Sequence, residues 1–78
     1  MADTGLSTDA IARFVLDRSK DVSGVSGTGV VAEGVMFSDG TAALRWCVGL
    51  RSTALYNSMN DLVAIHGHNG STTVRWLD

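Results

Sequence analysis

Two histidines one residue apart, His66 and His68, have side chains that could bind a metal ion or transfer protons. Imidazole nitrogens are common zinc ligands, and the group titrates near neutral pH. A zinc site needs at least one more protein ligand, and the candidates Asp39, Cys47 and Asp61 stand at no ligand spacing. His-Gly-His-Asn-Gly is also typical of a helix end followed by a turn. We therefore expect no metal, no cofactor and no catalytic residue, and keep His66 and His68 as candidate binding residues.

Two segments of the chain share one pattern, DGTAALRW and NGSTTVRW. Each begins with a tight-turn pair and continues as a strand that ends in Arg-Trp. If both tryptophans point into the core, alternation sends Arg45 and Arg75 to the opposite face of the sheet. Exposed guanidinium groups suit carboxylates and other anions because they donate two parallel hydrogen bonds. The open alternative is that these arginines pair with Asp17 or Asp78 on neighbouring strands.

The segment GVSGTG, residues 24–29, has the glycine content of a phosphate-binding loop. It lacks the Gly-Lys-Ser/Thr of a P-loop and the Gly-x-Gly-x-x-Gly spacing of a dinucleotide fold, and a strand pattern follows it. We interpret it as a crossover loop. We keep Ser26, Gly27 and Thr28 as candidate binding residues because loops often carry them.

These residues need a scaffold, and the hydrophobic pattern predicts strands and one helix. The predicted strands are 13–18, two within 30–48, 53–57 and 71–77. Ser58 and Asp61 are close to a capping box at the start of a helix near 59–66, and Gly67 is expected to end it with a positive φ. The fold class is α+β, mostly β, in the order ββββαβ. We expect a twisted antiparallel five-strand sheet or a partly open small barrel, with the helix before the last strand.

Asp39-Gly40 predicts a two-residue type I′ turn, which sets how the two strands within 30–48 pair. The predicted pairs are Phe37 with Ala42, Val35 with Leu44, Glu33 with Trp46, and Val31 with Val48. This set forms one apolar face that only Glu33 interrupts. The arginine face then holds Cys47 and Met36. A thiol beside an arginine can be reactive, but no base accompanies Cys47, so we expect a packed side chain.

The composition bounds the domain organisation and the partners. With 78 residues, we expect a flexible arm at 1–12 and a single small β-rich domain at 13–78. One cysteine rules out an internal disulfide, so a core this small favours self-association, and we expect a homodimer. A net charge of −2 without a basic cluster disfavours nucleic acid as a partner. No apolar run suits a membrane span and no signal peptide is present, so we expect a cytoplasmic protein, in the host cytoplasm if phage-encoded.

The segment DVSGVSGTGVVAEGVMFSDGTAALRW, with SMNDLVAIHGHNG and the closing RWLD, resembles a family of small uncharacterised proteins from actinobacteria and their phages. The distinctive strings are Ser-Gly-Thr-Gly and His-Gly-His-x-Gly, and the resemblance runs from Arg13 to Asp78. It implies a phage or GC-rich bacterial source and carries over no activity.

Because no catalytic constellation assembles, we predict a protein that is not an enzyme but a non-catalytic protein-interaction module, such as a phage or host regulatory or inhibitory protein. Its binding surface would be the arginine face. The alternative is a small nucleotide- or nucleic-acid-binding domain that uses Arg45, Arg75 and the 23–29 loop. A metal- or thiol-dependent enzyme is the third class.

Overall fold

The computed structural model describes residues 10–20, 27–67 and 70–78. Its elements are β1 Ala12–Arg18, β2 Gly29–Met36, β3 Ala42–Trp46, β4 Thr53–Tyr56, α1 Met59–His66 and β5 Thr72–Trp76. The strands form one sheet in the order β4-β3-β2-β1-β5, and each neighbouring pair is antiparallel. The predicted α+β fold in the order ββββαβ is confirmed, as an open sheet and not a barrel.

The helix starts as the sequence predicts and ends differently. The Ser58 side-chain oxygen accepts a hydrogen bond from the Asp61 amide at 3.0 Å, which satisfies one of the free amides of the first turn. Gly67 keeps right-handed angles (φ −68°, ψ −28°) and its amide donates to the Val63 carbonyl. The prediction of a positive φ at Gly67 is therefore wrong. The left-handed residue of this turn is Gly70, at φ +91°.

The position of α1 in the chain determines which face of the sheet is buried. β4 and β5 are the two edges of the sheet, so the connection between them, which contains α1, crosses one face. The face that α1 crosses is called the helix side below, and Leu62 of α1 is fully buried against it. The other core residues are Phe14, Leu16, Val31, Ala32, Ala42 and Leu44. No element of the described residues covers the opposite face, which is called the open face below.

A β-bulge at Val31 turns one extra side chain into the core. Leu16 pairs with Ala32 and Asp17 pairs with Val30, which leaves Val31 without a partner on β1. Val31 and Ala32 are neighbours in sequence, yet both are fully buried in the core. Neighbours in an unbroken strand point to opposite faces, so the bulge is what brings both side chains to the helix side.

The turn between β2 and β3 has three loop residues, not the two that Asp39-Gly40 predicts. The Phe37 amide donates to the Thr41 carbonyl at 2.8 Å, and the Gly40 amide donates to the Phe37 carbonyl at 3.0 Å. Gly40 has φ +88°, as the last residue of such a loop requires. Asp39 Oδ1 accepts hydrogen bonds from the hydroxyl and the amide of Thr41, and these bonds lower the pKa of Asp39.

The longer loop shifts the pairing of β2 and β3 by one residue from the predicted register. Glu33 pairs with Arg45, and Gly34 pairs with Leu44. Because side chains alternate, this shift sends each side chain of β2 between Ala32 and Met36 to the face opposite to the predicted one. Glu33 is exposed on the open face and does not interrupt an apolar face, and Met36 lies on the helix side instead of the arginine face.

The two tryptophans have different environments. Trp46 is half-buried and packs against the core, as predicted. Trp76 lies on the edge strand β5 and keeps 45% of its surface exposed, with its ring in an edge contact to Phe14 at a centroid distance of 5.3 Å. The prediction that Trp76 points into the core is wrong to this extent, because an edge strand has a neighbour on one side only.

Gly40→Val is expected to lower the free energy of unfolding by more than about 1 kcal/mol, because a β-branched residue is strained at positive φ. Nothing lies within 4 Å of a Cβ placed at Gly40, so the loss comes from the backbone and not from a clash. Urea unfolding measures the effect, with Ser38→Ala in the same loop as the control. Equal stabilities of the two variants would contradict the positive φ at Gly40.

Gly34→Ala is expected to destabilise the protein by about 1–3 kcal/mol, because the added Cβ overlaps the buried ring of Phe14. Phe14→Leu alone also destabilises, but it makes room for that Cβ. The double variant should therefore be more stable than the sum of the two single effects predicts. A double-mutant cycle by urea unfolding measures this coupling, and strict additivity would show that the two residues do not touch.

Candidate functional site

The open face carries one row of side chains that crosses the whole sheet. Arg45 pairs with Thr53 on one side and with Glu33 on the other, Glu33 pairs with Val15, and Val15 pairs with Arg75. Paired residues of antiparallel strands point to the same face, so these five side chains lie in one row. Arg45 and Arg75 thus share a face, as the sequence predicts, and three strand spacings of about 4.8 Å separate them.

The two arginines of this row differ in their partners. Arg75 Nε lies 3.5 Å from Asp17 Oδ2, and both side chains are largely exposed. Arg45 donates from Nη1 to the Thr53 hydroxyl at 3.2 Å, and no carboxylate of the described residues forms an ion pair with it. Exposed ion pairs contribute about 0–1 kcal/mol, so neither guanidinium group is held strongly by the protein itself.

Beside this row the open face is largely apolar. Leu55, Ala43, Val35 and Arg13 form a second row in register, and the Leu77 amide donates to the Arg13 carbonyl at its end. Leu55 is 79% exposed and Leu77 is 49% exposed. A shallow depression of about 270 Å³ is lined by residues of both rows. The open face therefore presents apolar surface directly next to charged groups.

Arg13 holds Asp78 with a multiple ion pair at the border of the open face. Arg13 Nη2 lies 2.7 Å from Asp78 Oδ1, and Arg13 Nε lies 3.0 Å from Oδ2. The Arg13 amide also donates to Oδ2 at 2.7 Å. These charge-assisted bonds favour the ionised carboxylate and lower the pKa of Asp78 to about 2. Asp17 and Asp78 are the two aspartates considered as partners for Arg45 and Arg75. Asp78 binds Arg13 instead.

Cys47, which follows the last residue of β3, does not have the environment of a reactive thiol. Burial raises the pKa of the Cys47 thiol, and the hydrogen bond and the negative charge of Glu33 raise it further. Its Sγ also lies 3.7 Å from the Arg45 carbonyl oxygen. Because the thiolate is the nucleophile, these surroundings disfavour thiol chemistry at Cys47.

The helix side of the sheet carries a separate group of side chains around His66. A short hydrogen bond of 2.6 Å joins Tyr56 Oη to His66 Nε2, and the Trp46 ring meets the imidazole edge-on at a centroid distance of 5.0 Å. All three side chains are half-buried. Burial raises the pKa of Tyr56, so its hydroxyl stays protonated, and the tautomer of His66 decides which of the two groups donates. A neutral His66 that accepts at Nε2 carries its own proton on Nδ1.

Arg18 is a buried cation on the same side of the sheet. Only 3% of the residue is exposed, and its Nε donates to the Thr72 hydroxyl at 3.0 Å. Among the described residues, no carboxylate forms an ion pair with Arg18. Thr72 and His66 line one cavity of about 10 Å³, and Arg18 is not among the residues that line it.

The structure does not bring the predicted site residues together. Arg45 and Arg75 lie on the open face, whereas His66 lies on the helix side. Gly27 and Thr28 are exposed just before β2, at the end of the sheet that carries His66.

Two of the predicted site residues, Ser26 and His68, lie outside the described residues, as do residues 1–9 of the arm predicted at 1–12. Within the described ranges, no three His, Cys, Asp or Glu side chains are grouped as a metal site requires. That His66 and His68 bind no metal stays a prediction. No helix in the described part of the chain is long and apolar enough to cross a membrane.

Sequence reasoning missed the burial of Arg18 and the contact of Tyr56 with His66. For Arg18 there was a signal, because Phe14, Leu16 and Arg18 follow the period of two that a strand face shows. For Tyr56 there was none. Ten residues separate it from His66, and only the path of α1 across the sheet brings the two together.

A family model described as Acb5 phage protein matches residues 11–78. This range contains every strand, the helix and both groups of side chains described above. No curated protein and no solved structure matches the chain.

The side chain of Asp78 is expected to titrate at a pKa of about 2 in the folded protein, because Arg13 binds its ionised form. A depressed pKa in the folded state stabilises the protein above the ordinary carboxyl pKa, and this contribution is lost as pH falls toward 2. NMR titration of the Asp78 Cγ shift measures the value. Arg13→Ala should return it to the ordinary range, and Arg51→Ala, the control, should not. An ordinary pKa in the unaltered protein would contradict the ion pair.

Proposed function

The chain belongs to the Acb5 phage protein family, and we propose that it is a phage-encoded interaction module that binds a partner protein through the open face of its sheet. By binding this partner, the module regulates or inhibits a host process. The activity assigned to this face is binding and not catalysis.

The observation that carries this proposal is the mixed charge of the open face. Three arginines and three carboxylates lie on it or at its border: Arg13, Arg45, Arg75, Asp17, Glu33 and Asp78. A polyphosphate partner needs several cations that act together, and here it would meet as many carboxylates. A protein surface can match such an alternation of charges, residue by residue. A protein partner is therefore favoured over nucleic acid.

The apolar row next to these charges supports the same conclusion. Leu55 and Leu77 are large and exposed at the two ends of this row, and Ala43, Val35 and Arg13 lie between them. Protein interfaces commonly combine an apolar centre with a polar rim. Burial of this row against a partner would remove apolar surface from water at about 25 cal/mol per Å².

Arg45 defines the chemistry that the partner should present. Its guanidinium donates to Thr53 and has no ion-pair partner among the described residues, so it can bind a carboxylate in a bidentate manner. Glu33 lies directly beside Arg45. It would repel an acidic group of the partner that faces Glu33 instead of Arg45. A second copy of the chain also presents a carboxylate of this kind, its own Glu33, so a homodimer through the open face satisfies the same requirement.

The alternative function, a nucleotide-binding domain that uses Arg45, Arg75 and the 23–29 loop, has less support. Glu33 lies between the two arginines in the row. The row crosses β2 at Glu33, four residues beyond Gly29, which corresponds to about 13 Å along the strand. These groups do not converge on one small ligand.

The host and the compartment belong to the proposal as well. Five of the six basic residues are arginine, which fits the GC-rich genome of an actinobacterial host. Action in the host cytoplasm fits a regulator that binds a host protein.

Replacement of both Arg45 and Arg75 by Ala is expected to weaken partner binding about tenfold or more, because arginines are frequent interface anchors. The melting temperature should stay nearly unchanged, since both side chains are exposed. The partner is first captured from host lysate with the unaltered protein, then purified and titrated by calorimetry against each variant. Arg51→Ala, an exposed arginine outside the row, is the matched control and should bind normally.

Three outcomes of this experiment redirect the proposal. Normal binding by the double variant places the interface elsewhere on the molecule. An unfolded double variant shows that the arginines are structural. Sedimentation that shows a dimer of the unaltered protein and a monomer of the double variant identifies the second copy as the partner.

A further inference from the structure

A groove runs between β4 and α1 at one edge of the sheet. β4 has a single neighbouring strand, β3, so its other side is an edge. The groove has a volume of about 300 Å³. Its lining comes from β4 and the residue after it, and from one side of α1: Leu55, Tyr56, Asn57, Asp61, Ala64 and Ile65. This groove is called the edge groove below.

The outer edge of β4 presents backbone groups that pair with no strand of the described residues. The Trp46 amide donates to the Ser52 carbonyl at 3.0 Å, so these two residues are a hydrogen-bonded pair between the third and fourth strands. Such pairs alternate along antiparallel strands, so the amides and carbonyls of Thr53 and Leu55 point away from β3. These two residues offer two donors and two acceptors, to which an extended chain can add as a further strand.

The lining of the edge groove combines apolar surface with one charge. Ile65 is 59% exposed, and the small side chain of Ala64, also exposed, leaves room for another side chain beside the helix. Asp61 is the charged residue of the lining, and neither ion pair found among the described residues includes it. A chain that fills the groove would therefore bury apolar surface and should bring a cation to Asp61.

The helix also sets the spacing of side chains in such a chain. Asp61 and Ile65 are four residues apart, which is about 6 Å along a helix. Side chains two residues apart in a strand lie on one face, at a distance of about 7 Å. An apolar and a basic side chain separated by one residue therefore match Ile65 and Asp61.

We propose that the edge groove binds an extended segment of a partner protein, which adds to β4 as a sixth strand. The backbone of Thr53 and Leu55 holds the segment, Ala64 and Ile65 pack against its apolar side chain, and Asp61 binds its basic side chain. Arg45 and Arg75, which carry the function proposed for the open face, do not line this groove. The two proposals are therefore tested by different residues.

A second copy of the chain fits the edge groove less well than a basic segment does. Two β4 strands that pair about a two-fold axis would bring a second Asp61 to the same groove and no cation. β4 has four residues, whereas a stable interface buries about 1,200 Å² or more. The charge of the groove and the length of the strand favour a short segment of another protein.

The first test selects ligands for the complete protein from a library of random ten-residue peptides displayed on yeast. The enriched peptides should share an apolar and a basic residue separated by one position. An NMR titration with one synthesised peptide should shift the amides of Thr53, Leu55 and Ile65, protect the first two from hydrogen exchange, and leave the Arg75 amide unchanged. A selection without enrichment, or a peptide that shifts only open-face amides, overturns the proposal.

The second test changes the backbone of the selected peptide and leaves the protein unaltered. Amides of an added strand point alternately toward β4 and away from it, and N-methylation removes a donor. Methylation of two amides that face β4 should weaken binding about tenfold or more, because two hydrogen bonds are lost. Methylation of their neighbours, the matched control, should leave the affinity nearly unchanged. Equal losses at successive amides would show that the peptide does not bind as a strand.

The third test exchanges the charge of the groove. Asp61→Lys should prefer a peptide with Glu in place of its basic residue, the reverse of the unaltered protein. Asn60→Lys, on the same helix but outside the lining, should keep the original preference. If Asp61→Lys does not fold, Asp61→Asn should lose the preference, and it keeps the backbone amide that Ser58 caps. An unchanged preference in the folded Asp61 variant overturns the role of this carboxylate.

Sedimentation and hydrogen exchange of the protein without peptide identify the competing occupant. We expect the Thr53 and Leu55 amides to exchange freely until the peptide is added. A dimer in which both amides are already protected would show that a second copy occupies the edge groove, and would overturn the assignment to a partner's segment.

Discussion

The contact between Phe14 and Gly34 is the constraint on which the rest of the structure depends. Phe14 is fully buried on β1 and pairs directly with Gly34 on β2, where any Cβ would overlap its ring. Gly34 must therefore face the helix side, and this requirement sends Glu33 to the open face. The loop that follows has to deliver Leu44 opposite Gly34, which a three-residue turn does and a two-residue turn does not. One packing contact thus sets both faces of the central strand.

The short helix explains why the molecule has an uncovered surface. α1 connects the two edges of the sheet and covers one face only, because the chain has no other helix among its described residues. Small domains bury a limited fraction of their surface, so a second covering layer is not available. The open face instead alternates charged and apolar rows, and Arg13, Glu33 and Arg45 keep it hydrated. An antiparallel sheet tolerates this arrangement because its two faces can have different polarity.

Arginine side chains have opposite environments on the two sides of the sheet. On the open face, Arg45 and Arg75 are exposed, and they suit a partner that contributes many weak contacts. Arg75 lies near the Asp17 carboxylate, and Arg45 donates to the Thr53 hydroxyl. On the helix side, Arg18 is nearly fully buried and has one neutral hydrogen-bond partner. Charge is screened by water in the first case and strengthened by low polarity in the second. The same residue type therefore belongs to an exposed surface on one side and to the buried packing of the sheet on the other.

The sequence alone determined which segments are strands and which is the helix, because those signals are local. Ser58 caps α1, and the parity of each strand placed Arg45 and Arg75 outward, whatever the strand order. Asp39-Gly40 marked the turn correctly but suits both a two-residue and a three-residue loop, so the register of β2 needed information from β1. Trp76 is partly exposed because β5 is an edge strand. The residues of β5 do not indicate that position in the sheet.

The candidate site residues also divide into those that the sequence predicts and those that only the tertiary structure brings together. The arginine face follows from alternation along single strands, so it could be predicted, whereas the row through Glu33 and Val15 exists only because of the strand order. Tyr56 and His66 meet because α1 crosses the sheet, and the burial of Arg18 results from the packing at the end of β1. Local patterns determine the elements and their faces. Only long-range packing decides which faces touch, because that choice depends on side chains far apart in the chain.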